Sequence, residues 1–185
     1  MKVTREKAAE NRANVIQSAS KLFREHGFNG INVAELTAAA GLTHGGFYRQ
    51  FDSKESLLAE AAEAALVEAT ELYTKTISKP NGRMHYANGY LSEKNKYSCP
   101  VVNLAADISR QLPEVQRRFA SGLRKFLGVS RAKIGSDTWN EHTAAIATLF
   151  GTLLMAKAVR LADEPLADAI TQAGLKQFED VQLLN

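Results

Sequence analysis

The chain has 185 residues, a net charge of +3 and one cysteine, Cys99, so it is long enough to bury a core and holds no internal disulfide. Its charged start, Met1-Lys2-Val3-Thr4-Arg5-Glu6-Lys7, lacks the apolar stretch of a secretory signal, and no apolar run approaches the ~18 residues of a membrane span. These features predict a soluble, cytoplasmic protein with no membrane partner. Alanine is abundant, against 12 glycines and 4 prolines, and runs of alternating Val and Thr are few, which predicts an all-α chain without a sheet.

In chain order, Val15, Ile16, Ala19, Leu22 and Phe23 form one apolar stripe of a first helix over about 5–26, stopped by Gly27. Asn32 and Glu35 have the spacing of a capping box in front of a short helix over 33–40, which Gly41 ends. Thr43 then caps a second short helix over 44–51, and Asp52 or Ser53 caps a long one reaching about residue 77. Ser78-Lys79-Pro80-Asn81-Gly82 is the strongest loop signal in the chain. Beyond it, helices are expected over 83–94, from Pro100, over 113–133, over 138–162 and over 165–183, about nine in total. The helix over 138–162 is studded with Ala144, Ala145, Ala147, Gly151 and Ala156, small residues that permit close helix approach.

Two short helices around a glycine, flanked by longer ones, form the helix-turn-helix pattern that places a recognition helix in the DNA major groove. Leu36, Ala40, Leu42, Phe47 and Phe51 should point inward, while Gly45 and Arg49 lie on the side opposite Phe47. The pair Gly45-Gly46 costs roughly 0.5–1 kcal/mol per glycine relative to alanine, so it calls for a reason: either close backbone approach to a phosphate or a frayed first turn. In that placement His44 reaches a base edge, Tyr48 a phosphate or thymine methyl, and Arg49 and Lys54 phosphates or guanine. The net charge permits a polyanionic partner without requiring one.

The run Ala39-Ala40-Gly41-Leu42-Thr43-His44-Gly45-Gly46-Phe47-Tyr48-Arg49-Gln50-Phe51, followed by Ser53-Lys54-Glu55-Ser56-Leu57-Leu58, resembles the TetR/AcrR regulators. So does the preceding Ala19-x-x-Leu22-Phe23-x-x-x-Gly27-Phe28, and the likeness covers residues 5–60. Gly46 departs from the threonine or serine often found there, and Thr37 from the usual alanine. The resemblance implies a three-helix DNA-binding domain over 1–52 and a helical ligand-binding and dimerisation domain over 53–185. It also implies backbone contacts from Tyr48 and Lys54, an operator face at Thr43 and His44, and a phosphate contact near Arg5. By the same likeness the protein is a homodimer joined through its last two helices, bound to a near-palindromic duplex operator and released by a small molecule.

Candidate linings for that ligand are Tyr86, Tyr90, Phe119, Phe126, Trp139 and Phe150, with His142 as a polar group, and ordinary core packing accounts for the same residues. Cys99 lies in Ser98-Cys99-Pro100 at a helix start, where the dipole lowers a thiol's pKa, and Lys94 and Lys96 are close in sequence. It is therefore either an oxidant- or electrophile-sensing thiol or a small buried packing residue. Enzyme chemistry is disfavoured, since His26, His44, His85 and His142 are scattered without metal-ligand spacing and Cys99 has no evident base. No cofactor or metal is expected. A helical protein that binds DNA without sequence preference is the remaining alternative.

Overall fold

The computed structural model of the chain describes the backbone of residues 5–92, 99–134 and 139–183 and the side chains of residues 6–92, 99–129 and 140–180. Among the described residues the protein is all-α. Its nine helices are α1 (Arg5–His26), α2 (Val33–Ala39), α3 (His44–Tyr48), α4 (Lys54–Ile77), α5 (Gly82–Leu91), α6 (Pro100–Ile108), α7 (Pro113–Ile134), α8 (Trp139–Val159) and α9 (Glu164–Leu183). The expected ends at residues 94 and 138 lie outside the described residues. The chain divides into two compact units, unit 1 (Met1–Glu68 with Asn103–Leu123) and unit 2 (Ala69–Val102 with Arg124–Asn185).

In unit 1 the α1 stripe buries Val15, Ala19 and Phe23, and the Phe23 ring meets Phe28 at 6.0 Å. Gly27 takes a left-handed φ of 73° that lets its N–H bond the Phe23 carbonyl at 2.9 Å and stop the helix. The capping box forms in full, with Glu35 N donating to Asn32 Oδ1 at 3.0 Å and Asn32 N donating to Glu35 Oε2 at 2.7 Å. Ser53, rather than Asp52, caps α4 by accepting from Ser56 N at 3.1 Å. The second short helix ends at Tyr48, three residues before the expected end. There the amides of Gln50 and Phe51 both turn back onto the Phe47 carbonyl, at 2.8 and 2.9 Å, and close the helix as a turn.

In unit 2, α5 packs against α8 and α9, and α8 lies along α9. Gly174 of α9 meets Thr152 of α8 so closely that a Cβ there would stand 2.1 Å from Thr152 Oγ1, which makes the glycine a requirement of the packing. The end expected for α8 at residue 162 falls at Val159, because the amides of Ala162 and Asp163 both bond the Val159 carbonyl. Asp163 Oδ1 then accepts from Leu166 N at 3.0 Å and caps α9, a role absent from the sequence reading. By length and composition Asn140–Val159 is apolar enough to cross a membrane, but 39% of that window is buried inside the protein. One side of α8 thus serves the core with Ala145, Ile146, Leu149 and Leu153, while Leu154 and Met155 stand 53% and 54% exposed.

Candidate functional site

The recognition helix is built from the inside outward. Phe47 and Phe51 are buried in unit 1 with their rings 5.6 Å apart, and this fixes which face of α3 remains outside. On that outer side stand Thr43, His44, Gly45, Tyr48 and Arg49, all exposed, as the helical period requires. His44 and Tyr48, four residues apart, meet edge to face at 5.1 Å, so the exposed side of this five-residue helix carries an aromatic pair, with Tyr48 51% exposed. Thr43 Oγ1 accepts from Gly46 N at 3.1 Å and caps the helix. A Cβ on Gly46 would lie 3.1 Å from that hydroxyl, so glycine makes room for the cap, whereas nothing lies within 4 Å of a Cβ on Gly45.

Pins from distant parts of unit 1 hold this helix in place. Arg12 of α1 forms a two-pronged bond with Glu60 of α4, at 2.5 and 2.8 Å, and its guanidinium rests 4.6 Å over the Phe51 ring. The Glu60 hydrogen bond is also what raises the Arg12 pKa. Lys54 is placed otherwise than the sequence suggests: its ammonium donates to the Phe28 carbonyl and sits 4.2 Å over the Phe28 ring. Burial holds its pKa below the usual lysine range, against the pull of Glu55, Asp107 and Glu35. The Phe28 amide in turn donates to Asp107 Oδ2 of α6 at 2.8 Å. Lys54 and Asp107 therefore grip the same residue of the α1–α2 loop. The Arg5 side chain lies outside the described residues.

The candidate ligand-binding residues separate. Tyr86, Tyr90, Phe126, Phe150, His142 and Cys99 belong to unit 2; Phe119 belongs to unit 1, because the boundary falls within α7; the Trp139 side chain lies outside the described residues. A residue missed as a candidate, Tyr73, closes the group. Tyr73, Tyr86, Tyr90, Phe150 and Phe126 form a closed cycle of ring contacts at 4.7, 5.7, 5.9, 6.1 and 5.3 Å, all within the range of favourable aromatic pairs. Tyr73 also touches the His142 ring at 6.4 Å. Desolvation, reinforced by Arg83, lowers the His142 pKa to about 4, so its imidazole is neutral. Burial raises the Tyr86 and Tyr90 phenols well above their ordinary value.

Cys99 corrects the expected lowered thiol pKa. It stands at the start of α6, where its sulfur accepts from Val102 N at 3.4 Å, yet it is 5% exposed. Burial pushes the thiol up, and this outweighs the lowering by Tyr90, the backbone amides and Lys157. The desolvation cost of a thiolate exceeds what one helix start returns, and the protonated thiol packs as a small apolar group. The side chains of Lys94 and Lys96 lie outside the described residues. Among the described residues no group of three His, Cys, Asp or Glu is arranged to hold a metal ion.

A capped short helix, backed by two phenylalanines and preceded by a second short helix across a glycine turn, defines a helix-turn-helix protein with an all-α body. Residues 15–61 match the family profile described as bacterial regulatory proteins, tetR family. The HTH-type transcriptional repressor AcnR of Corynebacterium glutamicum is 28% identical over 107 residues, 58% of this chain and 53% of that protein. The HTH-type transcriptional regulator AcrR of Shigella flexneri is 32% identical over 69 residues, 37% of this chain and 32% of that one. The chain thus matches about half the length of the AcnR relative. In fold it is similar to the reduced form of E. coli NemR, with a TM-score of 0.76 at 17% identity over 92% of this chain and 96% of that one. It is also similar to a TetR-family regulator of Cytophaga hutchinsonii, with a TM-score of 0.74 at 16% identity over 97% and 98%. The likeness to the tetR family is thus carried by residues 15–61, and the solved structures show the fold.

Proposed function

We propose that the protein is a transcriptional repressor that binds a near-palindromic DNA operator as a homodimer and leaves it when a small molecule enters its C-terminal domain. The observation that carries this reading is the outer side of α3, where Thr43, His44, Gly45, Tyr48 and Arg49 are exposed together while Phe47 and Phe51 anchor the helix from behind. Gly45 supports it. The chain leaves open the space a side chain would fill there, so the glycine serves no packing need of its own helix, and a duplex backbone approaching the Thr43-capped first turn uses that space.

In this reading residues 1–52 are the DNA-binding domain and residues 53–185 the ligand-binding and dimerisation domain. Tyr48 and Arg5 contact phosphates, the Gly45 and Gly46 backbone approaches the duplex, and His44 and Arg49 reach base edges. Lys54 contributes a phosphate contact only if it leaves Phe28, so its main part is to position the α1–α2 loop. The uncovered side of α8 at Leu154 and Met155, together with Leu166 of α9, supplies the dimer face. A cytoplasmic location follows from this function.

Footprinting on the DNA that flanks the protein's own gene tests the reading. Two protected half-sites centred one helical turn apart, roughly 34–36 Å, or a multiple of that spacing, are expected. Uniform protection of any duplex would replace it with the architectural reading.

A further inference from the structure

Unit 2 buries polar groups that its own residues leave unserved. His142 is 7% exposed, and its Nε2 has no hydrogen-bond partner. Native proteins pair such atoms in the great majority of cases, and an unpaired one in a neutral imidazole is a donor or acceptor waiting for a partner. Arg83, half-buried in the first turn of α5, makes no ion pair or hydrogen bond among the described residues. It stands one turn before Tyr86, which meets Tyr73 edge-on at 4.7 Å, and Tyr73 meets His142 at 6.4 Å. Arg83 and Tyr86 lie on α5 and His142 on α8, helices that pack together, and the Arg83 charge acts on His142.

The electrostatic character of this place is one-sided. Burial keeps the Tyr86 and Tyr90 phenols and the Cys99 thiol in their protonated, uncharged forms. Arg83 lowers the pKa of His142 and Lys157 that of Cys99, so a cation acts on each. A half-buried guanidinium with no counter-ion among the described residues is complemented by an anion, the neutral aromatic rings of the same unit by an apolar body, and a planar carboxylate matches the guanidinium fork with two parallel hydrogen bonds. Phe150 is half-buried, and its contacts with Tyr90 and Phe126, at 5.9 and 6.1 Å, are the two widest of the ring cycle.

We propose that the effector of unit 2 is an aromatic carboxylate, held through its carboxylate by Arg83 and His142 and through its ring by the cycle of Tyr73, Tyr86, Tyr90, Phe126 and Phe150. The proposal rests on the reading of unit 2 as the effector domain and gives that effector a chemical class. His142 in its Nε2-protonated form donates to the carboxylate, which satisfies the one buried atom the fold leaves unpaired at that ring.

The test is calorimetry on the full chain without DNA, using benzoate, salicylate, 2-naphthoate and indole-3-acetate, with 2-naphthamide and 2-naphthylmethylammonium as the neutral and cationic counterparts of the naphthoate. At least one carboxylate is expected to bind, with 2-naphthoate at least tenfold tighter than its amide and the ammonium not binding. Arg83→Met should weaken the best carboxylate at least tenfold and leave the amide unchanged, with thermal melting confirming that the variant is folded. His142→Phe, checked in the same way, should weaken the carboxylate more than the amide. Binding by none of the four carboxylates, equal binding of naphthoate and naphthamide, or an unaltered carboxylate affinity in Arg83→Met overturns the proposal. Operator binding by the ligand-free protein is measured in parallel. If the protein holds DNA but ignores carboxylates, only this inference falls; if it binds a carboxylate but no DNA, the regulator reading falls and the site stands.

Discussion

Long-range polar contacts are prominent around α3 in unit 1, and ring contacts around His142 in unit 2. Around α3, long-range polar pins do the positioning: Arg12 to Glu60, Lys54 to Phe28, and Asp107 to the Phe28 amide. Around His142 the contacts are ring against ring, and His142 Nε2 finds no hydrogen-bond partner among the described residues. Directional bonds fix a helix to within a fraction of an ångström, which a reading head needs. Ring contacts tolerate sliding.

The comparison can be broken at its strongest point first. Phe47→Ala should destabilise unit 1 by about 3–5 kcal/mol, while Phe150→Ala, at a half-buried position, should cost clearly less in urea unfolding. Equal losses would remove the contrast between an anchored and an adaptable core. The next effect depends on pH. Because the folded pKa of His142 is depressed to about 4, the unfolded chain takes up the proton first, so stability present above pH 6.5 is lost as pH falls toward 4. The wild type should lose up to about 1.4 kcal/mol per pH unit more than His142→Phe in that window, read by unfolding at pH 7 and pH 4.5.

Smaller effects sharpen the picture of the recognition helix. Thr43→Ala removes the α3 cap and should cost about 1 kcal/mol in the thermal melt, with weaker DNA binding. Gly45→Ala should stabilise the protein by roughly 0.5–1 kcal/mol, since the added methyl meets nothing, and yet lower affinity for DNA. A stabilised variant with unchanged affinity would show that no duplex backbone occupies the space in front of Gly45.

What the sequence made legible was what is local. The stripe of α1, the Asn32–Glu35 box and the Thr43 cap are decided within four residues, and the inward Phe47 and Phe51 follow from the helical period. The ends of α3 and α8 fall short of the expected ones because the amides of Gln50 and Ala162 bond a carbonyl three residues earlier, a tightening that helix propensity does not encode. Pins between residues 26, 48 and 79 positions apart leave no periodic trace, so the engagement of Lys54, Arg12 and Asp107 became visible only with the fold. Tyr73 passed for one more apolar position on α4, and Phe119 was grouped with Phe126 because one stripe of α7 serves two units. Arg83 had no motif to announce it; that no described residue pairs with it became visible only with the fold.

Fluorescence anisotropy with two labelled duplexes, one from the DNA flanking the gene and one of random sequence, puts the exposed side of α3 to the most direct trial. At physiological salt the wild type should bind the flanking duplex about a thousandfold or more tighter than the random one, and Tyr48→Ala should weaken both while lowering the salt dependence. Equal affinity for the two duplexes, or a Tyr48→Ala protein that binds as the wild type does, would contradict the account.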